Sequence, residues 1–449
     1  MTYISALRAS RPATFRWMSA SLLILGMGCK SLLDVDNPNN VSADALDEPA
    51  AAPAIVAGAE NLAANGLSSL YNAAVPATDE AYFLGSRDDY RLLDAGGFDA
   101  VANEYVQSGY IVMSRARWMS NQAIDKLRKF DTDGVLANKQ LLVRAYLNAA
   151  IVYTAIGDWF NDAAFSDRTI AAPNVGEANM AQVYDSALKW LDLAVPLATG
   201  TLRPATLGMR ARVRHAKGVW NLLKTKGTTP ANPLVSDAAM LADAQGALAL
   251  MSGDFYWDAL TNDLNIGDGS GGGFGFEMNS RVEYSLSQDL AKIDPNSGKP
   301  EAIIAKDPVT GLLDEAAVSA ISRVIYADSP NLPPLGQVSE REMRLIIAEH
   351  HLASNNNAGF DTAINGLRAM DGKAPYTGAG PTRLALLQWD RRVNLIFQGR
   401  RLNDMYRFGI KDPKWLATNI AVRKAGCRFP IPQIEIDANK ELTGVTDCK

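Results

Sequence analysis

The chain has 449 residues, 47% hydrophobic and 21% charged, an ordinary globular composition with ample length for a large core. Its formal net charge of -5 argues against a nucleic-acid polymer as partner. Length alone allows about three domains.

Residues 1–28 differ from the rest. Arg8, Arg11 and Arg16 give a basic start with no acid, and an uncharged, mostly apolar run over 17–27 leads to Gly28-Cys29. That run falls short of the roughly 20 residues a membrane-spanning helix needs and fits the apolar region of a secretory signal. A small residue directly before a cysteine resembles a bacterial lipobox, in which the cysteine receives acyl chains such as palmitate. The expectation is a lipoprotein signal peptide over 1–28 and lipidation at Cys29. The alternative is an ordinary signal peptide cleaved nearby, with Cys29 incidental. Residues 29–44, polar and containing Pro38 among asparagines, read as a tether. No other run could cross a membrane as a helix.

Small residues dominate 46–71, which suits closely packed helices. Residues 74–99 mix charge, aromatics and glycine without a period and read as loop-rich. Amphipathic helices follow. One covers 111–130 and contains Trp118, Ile124 and Leu127. A second carries Leu142, Ala145, Ala149, Val152 and Ile156 and is ended by Gly157. Val183, Ala187, Trp190, Ala194 and Leu197 make a third, stopped by Pro204 if not before. Met209, Val213, Ala216, Trp220 and Leu223 make a fourth, and 238–251 a fifth, ended by Gly253. Paired helices of this kind read as a divergent tetratricopeptide-like array, without a strict repeat period.

Residues 254–337 break the pattern and read as mostly irregular, with a helix over 316–326. Gly267, Gly269 and Gly272 satisfy G-x-G-x-x-G, but the strand before and helix after that a nucleotide site needs are missing. A loop this long inside a compact protein is usually functional. Helices resume at Ser339, with Met343, Ile347 and His350 on one face, then Phe360, Ile364 and Leu367. Residues 384–409 give the densest pattern. Leu386, Trp389, Val393 and Ile396 mark one face of a helix, Gly399 interrupts it, and Leu402, Met405 and Tyr406 continue it. Five arginines there (Arg391, Arg392, Arg400, Arg401 and Arg407) need carboxylate or carbonyl partners, with Asp390 and Asp404 the local candidates.

Catalytic patterns are absent from the sequence. There is no G-x-S-x-G and no H-E-x-x-H. His350 and His351 point about 100° apart on a helix, and no spacing links them or His215 to a metal. Asp131-Thr132-Asp133-Gly134 lacks the closing glutamate of a calcium loop, where Leu142 stands. The expectation is therefore no metal, no cofactor and no enzyme. A binding role fits better. Loop aromatics can stack on apolar sugar faces while Asp, Asn and Arg take hydroxyls. Tyr82, Arg87, Asp88, Tyr90, Tyr256, Trp257, Phe274 and Phe276 are the candidates. Cys427 and Cys448 are the remaining cysteines. In an oxidising compartment they can close a loop worth roughly 3 kcal/mol.

Residues 384–409 also resemble a segment of a known family. An Arg391-Arg392 pair, an apolar stretch, Gly399-Arg400, Asp404 and Phe408-Gly409 look like the helix near the C-terminus of the SusD/RagB family of outer-membrane nutrient-binding lipoproteins. The family usually has Glu where this chain has Asn394 and Gln398, and an aromatic at Leu402. Leu33-Asp34, Asp79-Glu80 and residues 344–369 resemble further family segments. Phe429-Pro430-Ile431-Pro432-Gln433, followed by Glu435-Ile436, matches the family's terminal Pro-Ile-Pro-x-x-Glu-Ile motif. The resemblance implies a mainly α fold, a divergent tetratricopeptide-like scaffold with long inserted loops, in a single SusD-like domain over 45–449. It implies capture of an oligosaccharide or other glycan at the cell surface, from a lipid anchor in the outer membrane. It also implies delivery to a SusC-like TonB-dependent transporter. Alternatives are a binder of peptides or another non-sugar nutrient, and a secreted hydrolase.

Overall fold

Helices rich in alanine and glycine can approach closely, and the chain uses this from its first long helix. The structure, a computed structural model, describes residues 44–167, 169–262, 273–327, 329–444 and 448. The expected signal peptide, Cys29, all but the end of the tether, and Gly267, Gly269 and Gly272 lie outside the described residues. Asp44–Asp47 form a 3-10 turn. Glu48–Lys449 form one compact unit.

That unit is mainly α. Helices α1 (Ala52–Ala74), α2 (Asp88–Asp94), α3 (Glu104–Thr132), α4 (Gln140–Trp159), α5 (Ala181–Ala194), α6 (Leu202–Leu222) and α7 (Ala238–Leu248) come first. Apart from the short α2, which lies beside α3, successive helices from α3 to α7 pack on one another, and α1 packs on both α3 and α4. α4 is buried along nearly its whole length. Full burial of a Leu- or Val-sized side chain contributes roughly 1.5–3 kcal/mol, so this helix is a central support. Local chemistry sets the ends. The Asn103 side chain accepts from the amides of Tyr105 and Val106 and caps α3.

One helix end differs from the expectation. Gly157 does not end α4, which runs on to Trp159. A Cβ there would lie 2.7 Å from the Tyr184 ring, so this glycine lets α5 approach. Pro204 does not stop the preceding helix, which has already ended at Ala194. It sits in the first turn of α6, where the missing N–H has no intrahelical partner to lose.

The regions expected to be irregular contain short ladders. Strand β1 (Ala81–Phe83) pairs antiparallel with β3 (Tyr284–Leu286), Tyr82 opposite Ser285. Strand β2 (Tyr256–Ala259) pairs antiparallel with β6 (Leu335–Ser339), Trp257 opposite Val338. Strands β4 (Ala291–Ile293) and β5 (Pro300–Ile303) pair with each other. The expected helix is α8 (Glu315–Ile325), capped by Asp314.

The C-terminal part holds α9 (Glu340–Ala353), α10 (Asn357–Met370), α11 (Arg383–Asn394) and α12 (Arg401–Phe408). Ser339 caps α9 by accepting from the Glu342 amide at 3.1 Å. Leu345, Phe360, Ile364, Leu367, Leu386 and Leu387 form its apolar core. Gly399 joins α11 to α12 at φ 78°, a conformation that favours glycine.

All five arginines are paired, and all but the half-buried Arg392 are buried. Asp404 accepts from Arg391 at 2.8 Å and from Arg407 at 2.9 Å. Arg407 also bonds Glu349, which takes His215 at 2.9 Å. Burial works to raise Glu349, but Arg407 and His215 outweigh it and hold the carboxyl well below the usual range. Arg400 forks onto Glu342, and Arg401 onto Asp79 at 2.6 and 2.7 Å. Arg392 reaches Asp79 and Asp289. Asp390 partners none of the five, which corrects the expectation. Its nearest cation is Lys373, at 3.8 Å. Asn394 meets Arg341 at 2.8 Å, while Asp254 and Asp371 supply the negative charge. Buried ion clusters of this kind rigidify an interior more than they stabilise it.

Candidate ligand-binding site

Strand β2 packs against α1. A cavity of about 500 Å³ opens there, lined by α1, α4, β2 and the residues that follow β2. Leu147, Ile151, Leu260 and Trp257 give it apolar surface, and Asn61, Asn148 and Asn262 give it amides. Asn148 donates to the Ala59 carbonyl at 3.2 Å and to the Ser120 hydroxyl at 3.1 Å.

Every charge on the lining is matched. Arg144 of α4 forks onto Glu60 of α1, with one contact at 2.9 Å. Their side chains are 38% and 28% exposed. A pair that open contributes about 0–1 kcal/mol to stability. Asp258 takes Arg323 at 2.9 and 3.0 Å. The Arg323 guanidinium also lies 3.5 Å from the centre of the Tyr256 ring, so strand and α8 are tied by a charge pair and a cation–π contact. Burial pushes the Tyr256 hydroxyl up to about 12. Burial also raises Asp258, against the pull of Arg323.

The structure divides the eight expected contact residues. Tyr256 and Trp257 line this cavity. Tyr82 lies on β1, half-buried. Arg87 donates to the Tyr105 hydroxyl at 2.8 Å and faces Glu104 at 3.5 Å. Asp88 is exposed and bonds Arg91 at 2.9 Å. Phe276 is half-buried on a short helical turn. None of these four lines the cavity.

Two expectations are corrected. Tyr90 is fully buried, stacked on Tyr105 with centroids 3.6 Å apart. Phe274 is fully buried and edge-on to Tyr71 at 6.3 Å. A ring closed off by core neighbours has no face left for a sugar. Both sit beside charged or glycine-rich stretches that read as loop, yet the β1–β3 ladder draws these segments inward. The cavity's Glu60, Asn61, Arg144 and Asn148 were not anticipated. The usable signal is in α4, where Arg144 and Asn148 stand four apart on a mostly apolar helix and so share a face.

Cys427 and Cys448 are joined, with Cα atoms 5.8 Å apart. Among the described residues, no group of three or more His, Cys, Asp or Glu is placed to hold a metal ion. Nor, among them, is any helix long and apolar enough to cross a membrane.

The helical scaffold and its short ladders have the fold of SusD superfamily proteins. A SusD superfamily protein from Bacteroides thetaiotaomicron matches with a TM-score of 0.61 at 14% identity, over 89% of this chain and 99% of its own. One from Bacteroides fragilis matches with a TM-score of 0.60 at 14% identity, over 88% and 99%. A SusD-like carbohydrate binding protein from Bacteroides vulgatus matches with a TM-score of 0.52 at 15% identity, over 80% and 83%. At these identities the likeness is one of fold. No protein-family model matches the sequence, and no curated protein matches it.

Proposed function

We propose that this chain is a cell-surface glycan-binding protein that captures an oligosaccharide in the α1–α4–β2 cavity. The observation that carries the reading is the cavity itself. Its volume of about 500 Å³, with an indole, aliphatic surface and several amides, is the lining that sugar rings and hydroxyls require. The fold supports it, since a protein of the same fold is described as a SusD-like carbohydrate binding protein. Capture involves no covalent chemistry: the cavity's carboxylates, Glu60 and Asp258, are both held by arginines. In this reading Cys29 is lipidated and anchors the protein to the outer membrane. The captured glycan then passes to a SusC-like TonB-dependent transporter. The test is to incubate the purified mature chain with a broad glycan panel and follow both binding and products. Saturable binding without product formation is expected. Turnover would make it a hydrolase, and binding to peptides but to no glycan would overturn the sugar reading.

A further inference from the structure

The cavity's electrostatics select among glycans. We infer that its ligand is an uncharged oligosaccharide, and that the Glu60–Arg144 pair is the device that excludes acidic ones; this rests on the glycan-binding reading above. Three charged side chains that the strand and two helices contribute line the cavity: Glu60, Arg144 and Asp258. Arg144 is the cation among them, and Glu60 takes it in a two-point fork. Asp258 is neutralised by Arg323 on α8. A uronate or sulfate entering this space meets no uncommitted cation among the described lining residues. It would have to part Arg144 from Glu60 and then lie beside the released carboxylate.

The cost of that exchange decides the selectivity. Parting a fork this open costs little by itself, so the main penalty is the repulsion between the acidic ligand and the freed Glu60 carboxylate. A hydroxyl asks for no such exchange. Asn148 is held by two donated bonds through its nitrogen, and its oxygen accepts none among the described residues, so it can take a sugar hydroxyl. The outward edges of the fork remain available to hydroxyls as well, because both side chains are part-exposed.

The experiment is calorimetry of the mature chain with matched ligand pairs, each a neutral oligosaccharide and its uronate congener. The wild type is expected to bind the neutral member at least roughly tenfold tighter. Glu60→Gln keeps the shape and frees Arg144, and should shift the preference toward the uronate by roughly tenfold. Glu60→Gln/Arg144→Gln should lose that gain, and circular dichroism melts confirm that both variants fold. A wild type that prefers uronates, with Trp257→Ala abolishing that binding, overturns the inference while the binding function stands. An unchanged preference in Glu60→Gln overturns the role of the pair. If no glycan of either kind binds, the binding function fails and the inference falls with it.

Discussion

Asp390 of α11 is fully buried, and neither carboxylate oxygen accepts a hydrogen bond. Its surroundings explain why. Asp307 takes both prongs of Arg368 at 2.8 Å. Asp314 takes Lys373 at 2.8 Å and the Trp389 indole at 2.7 Å. Two cations thus serve three carboxylates, and Asp390 is left over. Burial pushes it up to about 7, with Lys373 pulling down and Asp314 adding to the rise. The native state therefore holds this proton more tightly than the unfolded chain, where the carboxyl keeps its ordinary 3.8. The stability it contributes is fully present below the unfolded value and is lost as pH rises through about 7. Between about pH 5 and pH 8 the loss amounts to about 3 kcal/mol, at 1.36 kcal/mol for each tenfold change. Asp390→Asn has the same shape and no proton to lose. Glu80, also fully buried and pushed up to about 7, titrates in both proteins and cancels from the comparison. Urea unfolding of both proteins at the two pH values is the assay. The stability of Asp390→Asn relative to wild type should rise by about 3 kcal/mol from the lower pH to the higher. An equal difference at both would refute the account of this cluster.

Arg407→Met leaves Glu349 buried with its strongest partner gone, and should cost roughly 3–5 kcal/mol; an unchanged urea midpoint would contradict it. Cys448→Ser opens the loop to Cys427 and should cost roughly 3 kcal/mol. In the wild type, alkylation without reductant should leave the intact mass unchanged, and two added alkyl groups would mean the bridge is absent. Cys29→Ser should move the protein from the membrane fraction to the soluble one, and retention would count against the lipid anchor.

The helices were legible because their apolar residues recur at three and four, a pattern that local burial alone produces. That is why α3, α4, α6 and the α11–Gly399–α12 joint follow from the sequence. The ladders were not, because β1, β2 and β6 are three to five residues long and pair with segments far away. The arginine partners show the same limit. Asp404 is local to Arg391 and Arg407, but Glu342, Glu349 and Asp79 are brought in by tertiary packing. Half of the cavity was legible, through Tyr256 and Trp257 in a segment without helical period. The other half sits on α1 and α4, where Glu60 and Arg144 look like ordinary polar positions of scaffold helices. Tyr90 and Phe274 show the reverse: an aromatic among polar and glycine residues gives no sign of which way the chain will turn it.

The most direct measurement is a calorimetric titration of wild type and Trp257→Ala with the tightest oligosaccharide found in a broad panel. Trp257 lines the cavity and lies on the ladder with Val338, so its removal takes away apolar ring surface without breaking a strand bond. Loss of one stacked aromatic should weaken binding by roughly tenfold or more. Saturable binding in the wild type, weakened in this way, is the predicted result. Equal binding by both proteins would place the ligand elsewhere and contradict the assignment of this cavity.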